Sequence, residues 1–168
     1  MNKNNNQKRN ILIAGVVVVA IAALTFISKN GDTPSLANDA ETASVTSGGD
    51  LVINKADISE EAKFYGYDSN GTYMELLAVR ASDGTVRTAL NTCQVCNNSG
   101  RGYYVQEGDA FVCQNCGNRF ATDEIELTKN GCNPVPLEPS FKSEDDEKIV
   151  ISSAAFEAYE SLFEVWKK

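Results

Sequence analysis

Five cysteines in a chain without histidine constrain this sequence more than any other feature. Four of them form two Cys-x-x-Cys pairs, Cys93 with Cys96 and Cys113 with Cys116, and sixteen residues lie between the pairs. This spacing leaves room for a hairpin between two tight turns, so both pairs can direct their sulfurs at one metal ion. Cys132 follows as a fifth thiol. The pattern therefore predicts a domain organised around a metal knuckle site of the four-cysteine type.

The lack of histidine excludes several kinds of site at once. Without imidazole there is no His-bearing zinc site, no Rieske-type centre, no Cys-x-x-Cys-His haem attachment and no imidazole base for a cysteine nucleophile. An all-thiolate site remains, and soft thiolates select zinc, copper(I) or iron, including iron-sulfur clusters. Gly117 follows the second pair directly. We expect it to support the site, because a side chain there would crowd the backbone N–H groups that approach sulfur.

A pair of disulfides is the competing structural interpretation, and an oxidising compartment would favour it. Five cysteines cannot all pair within one chain, however. A Cys-x-x-Cys disulfide also closes too small a loop to constrain the unfolded chain much. We therefore favour metal binding, with Cys132 either as a ligand or as a free thiol beside the site.

The N-terminal residues have the pattern of a membrane signal anchor. Residues 1–10 are polar and basic, and residues 11–28 form an apolar run without charge or proline. The run has about the minimum length for a helix that spans a bilayer. The basic residues in front of it predict a cytoplasmic N-terminus and an extracytoplasmic domain behind a single-pass transmembrane helix. A cleaved signal peptide is the alternative.

The remaining chain divides into two parts of different composition. Residues 29–50 are small, polar and free of aromatic side chains, which predicts a flexible linker.

All 23 acidic residues but only 12 of the 15 basic residues follow position 28, so residues 29–168 carry a net charge of −11. This charge argues against nucleic-acid binding, because phosphate recognition needs positive side chains.

Residues 51–168 are predicted to form one small α+β domain. The segments "LVIN", "KFYGYD", "TYMELLAVR" and "TVRTAL" predict an antiparallel sheet that leads into Cys93. We expect "GYYVQ" and "AFVC" to form a hairpin, "KIVI" a last strand, and "SEDDEK" and the proline-containing "CNPVPLEPS" irregular structure. Apolar spacing predicts a C-terminal helix with Ser152 or Ser153 as its N-cap and an aromatic face packed on the sheet.

Three motifs in order resemble the FtrD-like membrane iron-sulfur protein family: "DGTVRTALNTCQVC", "GRGYYVQEGDAFVCQNCGNRF" and "GCNPVPL". The resemblance extends from about Val52 to the C-terminal "FEVWKK" and corresponds to a short form with one anchor and one domain. It implies that the five cysteines bind an iron-sulfur cluster. It also implies an accessory role in iron uptake or electron transfer at a bacterial membrane, beside an iron transporter or a redox partner.

The residues leave the metal open. Clusters are built in the cytosol, whereas an exported domain of this kind acquires its metal after crossing the membrane. A single iron or Zn(II) can then be captured outside, because binding and folding of small thiolate sites are coupled. An iron-sulfur cluster, mononuclear iron and zinc are therefore all retained as predictions at this point.

Two further functions compete with a metal or redox module. One is a structural zinc ribbon that binds another protein through aromatic side chains, for which the candidates are Tyr103, Tyr104, Phe111 and Phe120. The other is a thiol-disulfide redox protein with Cys113 or Cys116 as the nucleophile. No carboxylate pair, serine triad or phosphate loop is evident, so an accessory protein is favoured over an enzyme.

Overall fold

The computed structural model describes residues 45–129 and 131–168. The predicted basic tail 1–10, the predicted anchor 11–28 and most of the predicted linker lie outside these ranges. Within the described ranges, no helix is long and apolar enough to cross a bilayer. The described part is a small β-rich domain with one α-helix near its C-terminal end, as the sequence predicts.

The described domain consists of short strands in three sheets. The strands are β1 (Thr46–Ser47), β2 (Leu51–Asn54), β3 (Lys63–Ser69), β4 (Thr72–Arg80), β5 (Val86–Cys93), β6 (Tyr104–Glu107), β7 (Ala110–Cys113), β8 (Arg119–Ala121), β9 (Pro134–Val135), β10 (Lys142–Glu144) and β11 (Lys148–Ile151). The sheets have the orders β1-β3-β4-β5-β9, β10-β11-β2 and β6-β7-β8. The α-helix is α1 (Ser153–Tyr159).

The antiparallel sheet predicted ahead of the first cysteine forms from β3, β4 and β5. The predicted strand "LVIN" also forms, but β2 pairs with β11 in a separate sheet. Its alternating pattern buries Leu51 and Ile53 and exposes Val52, as expected for a strand with one solvated face. β1 lies inside the range 29–50 and pairs in parallel with β3, so the end of that range takes part in the sheet.

The later strands agree only in part with the sequence patterns. The hairpin of "GYYVQ" and "AFVC" forms as β6 and β7, and "KIVI" forms β11. The segments "SEDDEK" and "CNPVPLEPS" were expected to be irregular, and both expectations are wrong in part. β10 pairs with β11, and β9 pairs with β5. Proline is tolerated in β9 because this strand has two residues and lies at the edge of its sheet.

The C-terminal helix is shorter than its sequence pattern predicts, because a 3-10 turn, Glu160–Phe163, follows α1. Ser152 is the N-cap, as predicted, and its hydroxyl accepts a hydrogen bond from the backbone N–H of Ala154 at 3.3 Å. The aromatic face of α1 packs on the sheet. Phe156 stacks on Tyr67 with ring centroids 3.7 Å apart and 5° between the ring planes.

The segment after α1 is held to the turn between β3 and β4. The carboxylate of Glu160 accepts hydrogen bonds from the hydroxyls of Thr72 and Ser69 at 3.0 and 3.1 Å, and from the amide of Asn70 at 3.4 Å. These hydrogen bonds, led by the one from Thr72, lower the pKa of Glu160. These hydrogen bonds hold the start of the 3-10 turn, Glu160–Phe163, to the turn between β3 and β4.

Alternate residues of β4 enter two different hydrophobic clusters. Leu76 belongs to the cluster that contains Phe156 of α1, and Leu77 belongs to the cluster that contains Cys93 and Cys113. Side chains alternate across a strand, so the two clusters lie on opposite faces of β4. The cysteines are therefore built onto the face of the central sheet that is opposite α1.

Candidate metal centre

The cysteines are placed by the ends of strands. Cys93 is the last residue of β5 and Cys113 is the last residue of β7. The turn after each of these strands carries the second cysteine of the pair. Cys132 comes just before β9, which pairs with β5 so that Pro134 lies opposite Cys93. Strand pairing thus brings the fifth cysteine to the first pair.

The sulfur atoms converge on one place in the domain. The Sγ atoms of Cys93, Cys96, Cys113 and Cys132 all lie within 4.8 Å of one another. Cys132 is central: its Sγ lies 3.2 Å from that of Cys93, 4.0 Å from that of Cys96 and 3.0 Å from that of Cys116. Every cysteine predicted from the sequence is therefore at the cluster.

Solvent exposure divides the five thiols. Cys93 and Cys113 are buried, Cys96 and Cys132 are half-buried, and Cys116 is exposed. Cys116 is also outside the group of four whose sulfurs are mutually close. The sequence favours the two Cys-x-x-Cys pairs as the four ligands. The geometry differs, because it groups Cys132 with three of the paired cysteines and leaves Cys116 at the solvent edge.

A family model described as membrane iron-sulfur containing protein FtrD-like matches residues 56–163. The match covers more than half of the chain and includes all five cysteines. The chain belongs to the FtrD-like family. This confirms the resemblance that the three cysteine-bearing motifs indicate. No curated protein and no solved structure matches the chain.

The donor set of the FtrD-like domain fits the metal chemistry that the family name implies. Cysteine thiolates are the ligands of iron-sulfur clusters and of tetrahedral iron and zinc sites. Four thiols within 4.8 Å supply a full set of such ligands, and a fifth stands beside them. Thiols placed this close together can therefore bind a metal without large movements of the backbone.

The surroundings shift the cysteine pKa values of the FtrD-like domain in opposite directions. Burial raises the pKa of Cys96 to about 11 and raises the pKa of Cys132 well above its ordinary value. The hydrogen bond with Cys132 is the main cause that lowers the pKa of Cys116 to about 7. Burial opposes ionisation of Cys93, but hydrogen bonds from Tyr104, from the backbone of Cys96 and from Cys132 lower its pKa. Metal binding releases protons from these thiols, because cysteine binds a metal as a thiolate.

Tyr104 lies beneath the thiols and is 1% exposed. Its hydroxyl is 3.6 Å from the Sγ of Cys132, and its backbone N–H donates to Oδ1 of Asn91 at 2.8 Å. Nδ2 of Asn91 donates to Oε1 of Glu75 at 2.6 Å, and Nε1 of Trp166 donates to the backbone carbonyl of Asn91 at 2.7 Å. This buried network connects β4, β5 and the C-terminal segment to the strand below the thiols. Sequence reasoning missed it, and the one available signal was a polar asparagine in an apolar strand shortly before Cys-x-x-Cys.

The aromatic residues considered as surface anchors are mostly core residues of the FtrD-like domain. Tyr104, Phe111 and Phe120 are buried in the cluster that contains the cysteines. Tyr103 is partly buried and packs against the other cluster. They do not form an exposed aromatic surface for a protein partner.

Two glycines shape the turns that carry the cysteines, for different reasons. A Cβ at Gly102 would lie 2.3 Å from the backbone oxygen of Cys96, and the carbonyl of Gly102 accepts a hydrogen bond from the N–H of Cys93 at 2.7 Å. A Cβ at Gly117 would meet nothing within 4 Å, so the crowding predicted there is wrong. Gly117 instead has a φ of +72°, which residues with side chains rarely adopt.

Gly102→Ala is expected to displace the turn of the first cysteine pair. Alanine cannot be accommodated 2.3 Å from the Cys96 carbonyl oxygen, so the backbone must shift. We expect a loss of about 1–3 kcal/mol in the free energy of unfolding and weaker metal binding. Urea unfolding and metal titration of the full chain in detergent measure both. Gly108→Ala is the control, because a Cβ there meets nothing within 4 Å and only the φ of +65° is strained. Unchanged metal binding in Gly102→Ala would contradict the prediction.

Proposed function

We propose that the FtrD-like domain is an extracytoplasmic, membrane-anchored module that holds iron through cysteine thiolates and serves iron uptake or electron transfer. The observation that carries the proposal is the convergence of Cys93, Cys96, Cys113 and Cys132 within 4.8 Å, in a member of a membrane iron-sulfur family. Thiolates are ligands for iron in single-ion sites and in clusters. The domain offers no other residue set of this kind within the ranges that the structure describes.

The spacing of the sulfurs favours one metal ion. Two thiolates bound to the same tetrahedral ion at about 2.3 Å lie about 3.8 Å apart. The four sulfurs all lie within 4.8 Å of one another, which is close to the dimensions of such a site. A cluster places several irons and sulfides between its thiolates and therefore needs them further apart. We accordingly propose mononuclear iron as the bound form, and the family description keeps an iron-sulfur cluster as the alternative.

The proposed position outside the membrane rests on the N-terminal sequence. Lys3, Lys8 and Arg9 precede the apolar run 11–28, and no comparable basic cluster follows it. The positive-inside rule then places residues 29–168 on the outer side, where a net charge of −11 attracts cations. A membrane iron transporter or a redox protein is the proposed partner, because a tethered domain meets other proteins of the same membrane.

Structural zinc is the second candidate, and the single-ion spacing of the sulfurs supports it equally. Zinc has no redox chemistry, so the two candidates predict different properties for the purified protein. In the zinc case the thiolates would stabilise the fold only, and the domain would act through contacts with another protein.

The full chain, purified in detergent without air, is expected to contain iron in an amount equimolar with the protein. Thiolate-to-iron charge transfer should give visible absorption, and a variant with serine at Cys93 and Cys113 should lose both the colour and the iron. Elemental analysis, absorption and acid-labile sulfide determination measure these properties. Several irons with equimolar sulfide would identify a cluster. A colourless protein with equimolar zinc and no iron would overturn the proposal.

A further inference from the structure

The hydroxyl of Tyr104 approaches the thiols from inside the protein. The side chain is 1% exposed, and its hydroxyl lies 3.6 Å from the Sγ of Cys132. Within the part of the chain that the structure describes, the hydrogen bond of this hydroxyl is made with sulfur. A buried hydroxyl without a partner is costly, so the polar end of this ring is positioned by the thiols.

The direction of this hydrogen bond follows from metal binding. A cysteine that binds a metal does so as a thiolate, which has no proton to donate. The phenol then keeps its O–H and donates it to the sulfur of Cys132. Cys132 is also the thiol nearest to three others, so a hydrogen bond to it acts at the centre of the site.

The backbone of Tyr104 is fixed on both sides. Oδ1 of Asn91 accepts a hydrogen bond from its N–H at 2.8 Å, and Nδ2 of Asn91 donates to its carbonyl at 3.3 Å. Tyr104 also pairs with Cys113 across β6 and β7. These contacts fix the backbone of Tyr104, and the packing of its side chain in the buried cluster that contains Cys93 and Cys113 holds the ring beside the sulfurs.

We propose that Tyr104 is a positioning residue that donates a hydrogen bond to the metal-bound sulfur of Cys132 and raises the reduction potential of the iron. The inference rests on the proposed function, since only a redox-active metal has such a potential. The reduced site carries one more negative charge than the oxidised site. A hydrogen bond to a ligand sulfur stabilises the more negative state, and removing it favours oxidation.

Tyr103 provides a matched control one residue away. Its ring contacts Trp166 in an edge arrangement with centroids 6.0 Å apart, and Nζ of Lys167 lies 4.9 Å from its centroid. It packs against the hydrophobic cluster that contains α1, and not against the cluster that contains the cysteines. Tyr103→Phe removes the same atom as Tyr104→Phe, but from a residue just before β6 that packs against the other hydrophobic cluster.

Redox titration of the iron-loaded full chain in detergent tests the proposal. Tyr104→Phe is expected to have a lower midpoint potential than the unchanged protein, with the same iron content. Its thiolate-to-iron absorption should move to longer wavelength, because sulfur without the hydrogen bond is a better electron donor. Tyr103→Phe should change neither property. Equal potentials in Tyr104→Phe and the unchanged protein would overturn the proposal.

Cobalt(II) substitution separates this inference from the proposed function. If the protein contains no iron, the proposed function fails, but the hydrogen bond still shifts thiolate-to-cobalt absorption. Tyr104→Phe should then absorb at longer wavelength than the unchanged protein, and identical bands would contradict the hydrogen bond. If Tyr104→Phe does not fold, 3-fluorotyrosine at position 104 keeps the ring and has a more acidic hydroxyl. It should shift the absorption to shorter wavelength, and no shift would count against the proposal.

Discussion

Cys132→Ser is expected to weaken metal binding by on the order of 10²–10³-fold. Thiolate and mixed zinc sites bind with about 10–16 kcal/mol, so one of four ligands contributes about 2.5–4 kcal/mol, and each 1.4 kcal/mol is about tenfold. Cys132 is one of the four mutually close thiols, and its Sγ lies 3.2 Å from that of Cys93 and 4.0 Å from that of Cys96, so its loss removes a ligand from the site. Competition with a chelator of known affinity, using zinc or cobalt(II) and the full chain in detergent, measures the change.

Cys116→Ser is the matched control for this substitution. Cys116 is exposed and lies outside the group of four sulfurs that are within 4.8 Å of one another. We expect its replacement to leave metal affinity nearly unchanged, although it too replaces a cysteine sulfur by a serine oxygen. The reverse result, a large loss in Cys116→Ser and little in Cys132→Ser, would show that the two Cys-x-x-Cys pairs are the ligands. Comparable losses in both variants would show that the fifth thiol also binds.

The difference between these two ligand sets explains how far the sequence could predict the site. Each Cys-x-x-Cys pair follows a strand that is recognisable from its own residues. The place of each pair at the end of a strand can therefore be predicted from the neighbouring sequence. The position of Cys132, which is 39 residues beyond Cys93 in the chain, depends on the pairing of β9 with β5. No local pattern encodes this pairing, and the prolines of β9 and its surroundings argue against a strand there.

The polar network beneath the thiols also depends on contacts between strands that are distant in the sequence. Asn91 lies in β5, and its side chain reaches Tyr104 in another sheet and Glu75 in the neighbouring strand. The sequence identifies Asn91 only as a polar residue within an apolar strand. Its partners become known only when the strands are paired, because hydrogen bonds between distant residues leave no periodic signal. The fold class, by contrast, follows from segment composition and turn residues, which act locally.

The placement of the two hydrophobic clusters also could not be predicted from β4 alone. Its residues 74–79 are buried on both faces, so the strand has no alternation of polar and apolar side chains to mark an exposed face. Such a run is compatible with any strand covered on both sides. The tertiary structure shows what covers each face: α1 with its aromatic residues on one, and the cysteine-bearing strands on the other.

Phe156→Ala is expected to lower the free energy of unfolding by about 3–5 kcal/mol, the usual cost of removing a buried aromatic side chain. Phe156 is fully buried and stacks on Tyr67 at 3.7 Å, so alanine leaves a cavity between α1 and the sheet. Domains of this size have about 5–15 kcal/mol in total, so a large part of the stability would be lost. Urea unfolding of the metal-loaded full chain in detergent measures the change.

Metal affinity should be unaffected by this loss. Phe156 belongs to the hydrophobic cluster on one face of β4, whereas Cys93 and Cys113 belong to the cluster on the other face. Phe156→Ala is therefore expected to bind zinc or cobalt(II) as tightly as the unchanged protein, wherever it is folded. Phe156→Leu, which keeps most of the side-chain volume, should lose less stability and likewise keep its affinity. A parallel fall in stability and affinity across the two variants would mean that the helix side and the thiol side of the sheet act as one unit, and that the thiols are positioned by the whole core.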